Sequence, residues 1–98
     1  MSVTRITRWT GGTRADVVAA VNTSRPYIER LGGRLEAKQI HDGHYAGQWI
    51  TWRHFPDLET HERAERLLAT DTAYQEAMVK PLSKFQVADR WVVVGIDL

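Results

Sequence analysis

The sequence contains no cysteine, which excludes disulfide bonds, thiolate nucleophiles and zinc or iron–sulfur sites with cysteine ligands. It also has almost no net charge, because 13 lysine and arginine residues are opposed by 12 aspartate and glutamate residues, giving +1 at pH 7. A chain this close to neutrality has no overall field that would attract nucleic acid or an anionic membrane. The composition therefore favours a protein with neither nucleic-acid nor membrane partners.

Long apolar runs are missing as well. The longest one covers residues 91–96, whereas a bilayer-spanning helix needs about 20 apolar residues. The first six residues lack the apolar stretch of a signal peptide, and no internal repeat or low-complexity segment is present. We therefore expect a cytoplasmic protein.

What is present fits a single folded domain covering residues 1–98. Hydrophobic residues make up 43% of the chain and charged residues 26%, which is ordinary for a soluble globular protein. A monomer of this length buries only about 60–65% of the surface that its unfolded chain would expose. A small core with one apolar face left over favours pairing with a second copy, so we expect a homodimer.

Hydrophobic periodicity and turn residues predict the order strand, helix, strand, strand, helix, short helix, strand. Helices on one face of a four-stranded antiparallel sheet form an α+β, ferredoxin-like βαββαβ unit, which is the fold class we predict. The last strand is expected at residues 85–96, and its core at 91–94 is apolar at every position. This pattern predicts a strand that is buried on both faces.

The first helix carries a start signal and an internal interruption. Thr13 and Asp16 have the spacing of a capping box, which predicts that the helix begins there. Pro26 has no amide hydrogen and collides with the carbonyl four residues earlier. We therefore expect a kink near residues 22–25.

The Asp-Gly dipeptide at residues 42–43 is a strong signal for a two-residue hairpin turn. The resulting register places Leu35 opposite Ile50 on the face under the helices, and it places the alternate side chains on the other face. A bulge at Gly47 would shift this register, which leaves the assignment open at that point.

Aromatic and charged side chains share the second face of this predicted hairpin. Their residue types favour packing in a dimer interface, because tryptophan, tyrosine and arginine are enriched there. The alternative is a lined cavity in which Arg53 holds an anionic or phenolate group and Trp49 stacks on a flat ring. The set consists of Glu36, Lys38, Tyr45, Trp49, Thr51 and Arg53.

A second group surrounds the predicted kink, where a gap between helix and sheet would form a small-molecule pocket. Trp52 and His54 are expected to point into this gap, and His54 is the candidate proton acceptor near neutral pH. The alternative is a packed core tryptophan beside a half-buried histidine, which is the commoner arrangement. The candidate ligand-binding residues are Asn22, Tyr27, Trp52 and His54, with Arg25 beside them.

The four histidines do not have metal-site spacing. His41 and His44 flank the predicted turn, but His54 lies about 30 Å further along the strand and cannot be a third ligand. His61 has no second histidine one helical turn away. RNA-recognition domains share the βαββαβ order, yet residues 44–49 lack their basic-glycine signature. We expect no metal, no cofactor and no nucleic acid.

Three segments of the chain resemble the dimeric α+β barrel superfamily, which includes antibiotic-biosynthesis monooxygenases, stress-responsive barrel proteins and NIPSNAP-like proteins. They are YAGQWI (45–50), FPDLET (55–60) and LLATDTAYQ (67–75). The resemblance implies two sheets packed across a two-fold axis, with a cavity between each sheet and its helices.

For function, this resemblance implies a homodimer that binds a small aromatic or polyketide-type compound and acts as a cofactor-independent oxygenase. Such oxygenases use asparagine, tryptophan and arginine to hold a polycyclic substrate, and Asn22 and Trp52 have the matching chemistry. A non-catalytic, stress-associated or structural dimer is the alternative.

Overall fold

The computed structural model describes residues 1–96, and these residues form four strands and three helices. The elements are β1 (Val3–Gly11), α1 (Arg14–Arg30), β2 (Arg34–Gln39), β3 (Trp49–Phe55), α2 (Leu58–Thr70), α3 (Thr72–Leu82) and β4 (Phe85–Val94). The strands form one antiparallel sheet in the order β2-β3-β1-β4. This confirms the predicted α+β, ferredoxin-like topology.

Helix α1 begins at the predicted capping box. The Thr13 hydroxyl accepts a hydrogen bond from the Asp16 amide at 3.2 Å, and the Asp16 carboxylate accepts one from the Thr13 amide at 2.8 Å. The helix then continues through Pro26 as one element. Because proline has no amide hydrogen, the carbonyl of Asn22 loses its helical donor at this point.

The predicted two-residue turn at 42–43 is wrong, since β2 and β3 are joined by a loop of residues 40–48. The Ile40 amide donates to the Gln48 carbonyl and the Gly47 amide donates to the Ile40 carbonyl, both at 2.8 Å. Gly47 has a φ of 89°, a left-handed conformation that glycine adopts without steric cost. The extra loop residues change the register between the two strands.

In the observed register, Leu35 pairs with Arg53 and not with Ile50. The shift is an odd number of residues, so every side chain of β3 changes face relative to β2. The predicted orientation of β2 is correct, because Leu35 is buried under the helices. The predicted orientation of β3, with Ile50 facing the helices, is wrong.

Five of the proposed site residues lie on β3 and change sides as a result. Trp49, Thr51 and Arg53 project toward the helices and line a cavity there, whereas they were expected on the dimer face. Trp52 and His54 project from the opposite face. We call this opposite side of the sheet the open face, because no helix packs against it.

The core lies between the helices and the covered face of the sheet. Val3 and Ile28 have no exposed surface at all, and Phe55 is packed edge-to-face against His61 of α2 at a centroid distance of 5.4 Å. The central cluster consists of Ile28, Leu35, Phe55, Ala64 and Leu68. These contacts fix α1 and α2 over β2 and β3, which leaves α3 to close the end of the layer.

The prediction that the last strand is buried on both faces is wrong for the single chain. Side chains 91–94 are each between 43% and 48% exposed. The cause is topological, because β4 is an edge strand and pairs only with β1. An exposed apolar stretch of this kind is typical of a surface that binds another protein.

Carboxylate caps make the stability of the helices depend on pH. The Asp57 carboxylate accepts a hydrogen bond from the Thr60 amide at 2.7 Å, and this bond lowers the pKa of Asp57. The equivalent bond from the Thr13 amide lowers the pKa of Asp16. In both cases the folded chain stabilises the charged carboxylate relative to the unfolded chain.

We expect the free energy of unfolding to fall as the pH drops below the ordinary aspartate value of 3.8 and through the lower folded pKa. Asp57→Asn keeps an N-cap acceptor but cannot titrate, so its free energy of unfolding should fall less in acid. Urea denaturation between about pH 5 and pH 2 measures this. Asp42→Asn in the exposed loop is the control, and an identical acid dependence of both variants would contradict the prediction.

Candidate functional site

A cavity of about 60 Å³ lies between the sheet and the helix layer, and it opens to solvent on one side. Residues of β1, β2 and β3 form its floor, and residues of α1 and α3 form most of its roof. It is lined by Arg5, Thr7, Trp9, Val17, Ala20, Val21, Ser24, Leu35, Trp49, Thr51, Arg53, Tyr74, Met78, Leu82 and Phe85.

Arg5 and Arg53 are the charged residues of this lining within the described part of the chain. Their side chains are only 11% and 19% exposed. Arg5 forms an ion pair with Glu65 of α2, and Arg53 lies 3.6 Å from the same carboxylate. Arg53 also donates a hydrogen bond to the Tyr74 hydroxyl at 2.9 Å. One carboxylate therefore serves two largely buried guanidinium groups.

The arginines influence one another. Burial lowers the pKa of Arg53, because desolvation penalises the charged guanidinium; Tyr74 opposes this shift and Arg5 adds to it. Burial also lowers the pKa of Arg90, and repulsion from Arg5 and Arg53 adds to that shift. Arginine stays protonated at neutral pH in proteins. Arg5 and Arg53 therefore concentrate positive charge in the cavity wall, and the more exposed Arg90 lies near them.

Three hydroxyl groups of the lining accept hydrogen bonds from nitrogen donors, whereas the fourth, that of Ser24, donates to the Ala20 carbonyl at 2.9 Å. The Trp9 indole nitrogen donates to the Thr51 hydroxyl at 2.9 Å, and the Arg90 Nε donates to the Thr7 hydroxyl at 3.3 Å. The Tyr74 hydroxyl accepts in the same way from the guanidinium described above. In each of these three pairs the hydroxyl oxygen is the acceptor, which leaves its own hydrogen free to donate.

A groove of about 360 Å³ adjoins the cavity, between α1 and the outer edge of β2. Val17, Val21 and Trp49 line both spaces. Trp49 is only 7% exposed, so its indole forms a wall between the cavity and the groove. Asn22 and Arg25, two residues of the predicted pocket, lie in the groove.

The structure does not bring the other predicted ligand residues into this cavity. Tyr27 packs edge-to-face on Tyr74 at 5.2 Å and belongs to the border of the core cluster. His54 lies on the open face, where its Nδ1 is 2.9 Å from the Thr4 hydroxyl and its Nε2 is 3.7 Å from the Glu36 carboxylate. The predicted grouping of Asn22, Trp52 and His54 in one pocket is therefore wrong in geometry.

The remaining residues of the predicted second face are distributed over the open face. The Lys38 ammonium group lies 5.7 Å from the Trp52 ring centroid. The Arg8 guanidinium lies 3.7 Å from the Tyr45 ring centroid, and it also donates to the Gln48 side chain at 2.5 Å. These contacts fold the loop of residues 40–48 against one end of the open face and cover Arg8.

Sequence reasoning missed Arg5, Glu65 and Tyr74 as site residues. A signal for Arg5 was present, because it alternates with Val3 and Thr7 and therefore shares their buried face of β1. The helical spacing of His61 and Leu68 allows either residue 64 or residue 65 on the inner side of α2, so the sequence left the position of Glu65 undecided. Nothing in the sequence indicated that Glu65 would meet Arg5, since 60 positions separate them.

No group of three histidine, cysteine, aspartate or glutamate side chains in residues 1–96 is arranged to hold a metal ion. None of the helices in this range has the length and apolar character needed to cross a membrane. A cytoplasmic location and the absence of cofactors and nucleic acid stay predictions.

No protein-family model matches the sequence, and no curated protein matches it either. Solved structures do match. SnoaB, a cofactor-independent oxygenase from Streptomyces nogalater, has a TM-score of 0.73 at 13% identity, over 99% of this chain and 95% of that chain. A dimeric ferredoxin-like protein from an uncultured marine organism has a TM-score of 0.68 at 12% identity, over 98% of each chain.

An uncharacterized NIPSNAP-like domain protein from Burkholderia xenovorans has a TM-score of 0.67 at 15% identity, over 97% of this chain and 85% of that chain. The likeness to these structures shows that the chain has their ferredoxin-like α+β fold. The fold that the predicted resemblance implies for a single chain is thereby confirmed. In this fold, the helix-covered face contains the cavity and the open face is free of helices.

Proposed function

We propose that this protein binds a small, flat organic molecule in the cavity between the helices and the sheet, and that it does so as a homodimer. The proposal depends on one observation, the presence in one cavity of the buried Trp49 indole and the buried Arg53 guanidinium. An aromatic wall suits a ring, and a guanidinium group suits an oxygen substituent on that ring. For these two residues, ligand binding thus replaces interface packing as the preferred role.

The ligand would extend across both spaces. The inner volume of about 60 Å³ is smaller than the roughly 150 Å³ cavity that admits benzene in other proteins, so it does not enclose a whole ring. The adjoining groove supplies about 360 Å³. We propose that the oxygen-bearing edge of the ring enters the cavity past Trp49 and that the remainder lies beside Asn22.

The likeness to SnoaB, a cofactor-independent oxygenase, supports an aromatic or polyketide-type ligand and an oxygenase-like reaction without metal or cofactor. A non-catalytic, stress-associated or structural dimer is the second candidate, and the small inner volume favours it. Oxygen uptake with 1,4-naphthalenediol separates the two, because only an enzyme raises the rate above that of the diol alone.

Ligand binding in the cavity is tested by filling it. Ala20 lines the cavity and is buried, whereas its neighbour Ala19 is exposed on the same helix. We expect 1,4-naphthoquinone to raise the melting temperature of the wild-type chain and of Ala19→Leu, by a stabilisation of about 2.7 kcal/mol at 100 times the Kd. The melting temperature of Ala20→Leu should be the same with and without the quinone. A rise of equal size in both variants would place the ligand elsewhere.

The open face and β4 support the proposed homodimer. Trp91 and Val93 of β4 lie on this face and are 47% and 46% exposed. Trp52, His54 and Glu36 lie on the same face, so we propose them as interface residues and no longer as ligand residues. The dimeric ferredoxin-like protein shares this fold, which supports a second copy as the cover of the open face.

We expect Trp91→Glu to abolish association, because a buried interface anchor would be replaced by a charge with no partner. Sedimentation velocity at micromolar concentration should show a wild-type dimer and a Trp91→Glu monomer. Val79→Glu is the matched control, since Val79 is 70% exposed on α3, away from the open face, and this variant should stay dimeric. A monomeric wild-type chain, or a dimeric Trp91→Glu chain, would refute the proposed interface.

A further inference from the structure

We propose that the inner end of the cavity selects a ligand through one anionic oxygen, as in a phenolate, an enolate or a carboxylate. The inference rests on the proposed function, because it specifies what the bound molecule presents to the cavity. It is carried by three independent features of the lining: its charge, its hydroxyl groups and the position of the single carboxylate nearby.

The charge of the lining is positive and incompletely balanced. Arg5 and Arg53 enter the cavity wall, and Arg90 lies beside them against Thr7. Glu65 is the carboxylate that contacts Arg5 and Arg53, and it is not part of the lining. Arg5 and Arg53 share this one carboxylate, which leaves positive charge in a poorly solvated place, where a ligand anion gains more than it would in water.

The hydroxyl groups of the lining point to the same chemistry. Thr7, Thr51 and Tyr74 each accept a hydrogen bond from a nitrogen donor. Within residues 1–96 the structure gives these three hydroxyl hydrogens no acceptor. Each of these three hydroxyls can therefore donate to a molecule that enters the cavity, and an oxygen that only accepts hydrogen bonds suits such donors.

A cationic ligand is disfavoured by the same arrangement, because the guanidinium groups carry positive charge and have no acceptor capacity. The hydroxyl oxygens of Thr7, Thr51 and Tyr74 already accept one hydrogen bond from nitrogen, so a ligand that accepts hydrogen bonds matches them better than one that donates. The apolar part of the lining, which includes Trp49 and Phe85, remains for the ring that bears the oxygen. The expected ligand is thus planar, with one anionic oxygen at the end that enters the cavity.

Three probes with one ring system test this selection by isothermal titration calorimetry. They are 4-nitrophenolate, 4-nitrobenzoate and nitrobenzene, the last of which lacks the anionic oxygen. We expect at least one of the two anions to bind about tenfold or more tightly than nitrobenzene, which is the usual size of a hydrogen bond to a charged group. The tighter anion distinguishes a phenolate-type from a carboxylate-type ligand.

Two variants should change anion affinity in opposite directions. Arg53→Met removes one cation and should weaken binding of the preferred anion about tenfold or more, without changing nitrobenzene affinity. Glu65→Gln removes the competing carboxylate and should strengthen anion binding several-fold. Arg63→Met is the control, because Arg63 is an exposed arginine of α2 outside the cavity.

The outcomes separate this inference from the proposed function. Equal binding of all three probes overturns the selection for an anion and leaves small-molecule binding in place. Binding of none of them overturns the proposed function and the inference with it. Unchanged anion affinity in both Arg53→Met and Glu65→Gln, with circular dichroism showing that both are folded, also overturns the inference.

Discussion

Trp49→Ala is expected to lower the free energy of unfolding by about 3–5 kcal/mol, the usual cost of truncating a buried tryptophan. Trp49 is 7% exposed, pairs with Trp9 across β1 and β3, and lines both the cavity and the groove. Its loss would join the two spaces into one. Urea denaturation measures the change in stability, and the slope with urea shows whether the variant still unfolds in one step.

The same variant should accept larger rings. With the indole wall removed, we expect Trp49→Ala to admit a whole ring into the joined space and to bind an anthracene-sized anion more tightly than the wild-type chain does. Trp49→Phe is the matched control, because it keeps an aromatic wall and should lose much less stability. A loss below about 1 kcal/mol for Trp49→Ala would mean that this indole contributes little to the core, contrary to its burial.

Glu65→Gln is expected to lower the free energy of unfolding by about 2 kcal/mol. Removing one partner of a fully buried ion pair costs about 3–5 kcal/mol, and Glu65 is 35% exposed, so solvent screening reduces that cost. Arg5 and Arg53 would remain with no carboxylate in contact. For a chain of this size, the change corresponds to a fall of about 8–16 °C in melting temperature.

Differential scanning calorimetry of Glu65→Gln beside Glu62→Gln provides the comparison. Glu62 is exposed on the same helix, and its replacement should change the free energy of unfolding by no more than about 0.5 kcal/mol. An equal, small effect of the two substitutions would show that the arginines of the cavity do not depend on Glu65.

Much of the fold could be predicted because local signals agreed with one another. The capping box at Thr13 and Asp16, the cap at Asp57 and the alternating strand before residue 11 each mark an element end or type. The order of the elements then leaves few topologies. The seven-residue spacing of His61 and Leu68 also indicates that both lie on one side of α2, and both are buried there.

The register of β3 could not be predicted, because its residues do not distinguish the two faces. Trp49 and Phe55 would suit a core, but so would Ile50 and Trp52 on the alternate positions. The Asp-Gly dipeptide favoured a tight turn, and only the backbone hydrogen bonds of the loop at 40–48 show that Gly47 also takes part. An odd shift then exchanged every assignment on that strand.

The site itself depends on contacts between distant segments, and for this reason the sequence alone did not contain it. Arg53 was singled out for the chemistry that we propose, but its partner Tyr74 lies 21 positions away on α3. The ion pair of Arg5 with Glu65 joins the first strand to the second helix. Composition gives the residue types of such a cluster, whereas only the folded chain gives their proximity.

The place of β1 in the sheet has a consequence for how the chain folds. This strand precedes the other elements, yet it lies in the interior of the sheet and pairs with β4, which follows all of them, so that Val3 is opposite Val94. Closing that ladder has a large loop-entropy cost and is slow compared with hairpin or helix formation. On the ribosome, β1 therefore keeps one unsatisfied edge until nearly all described residues have been synthesised, and this interval is when a chaperone that shields strand edges would have the greatest effect on yield.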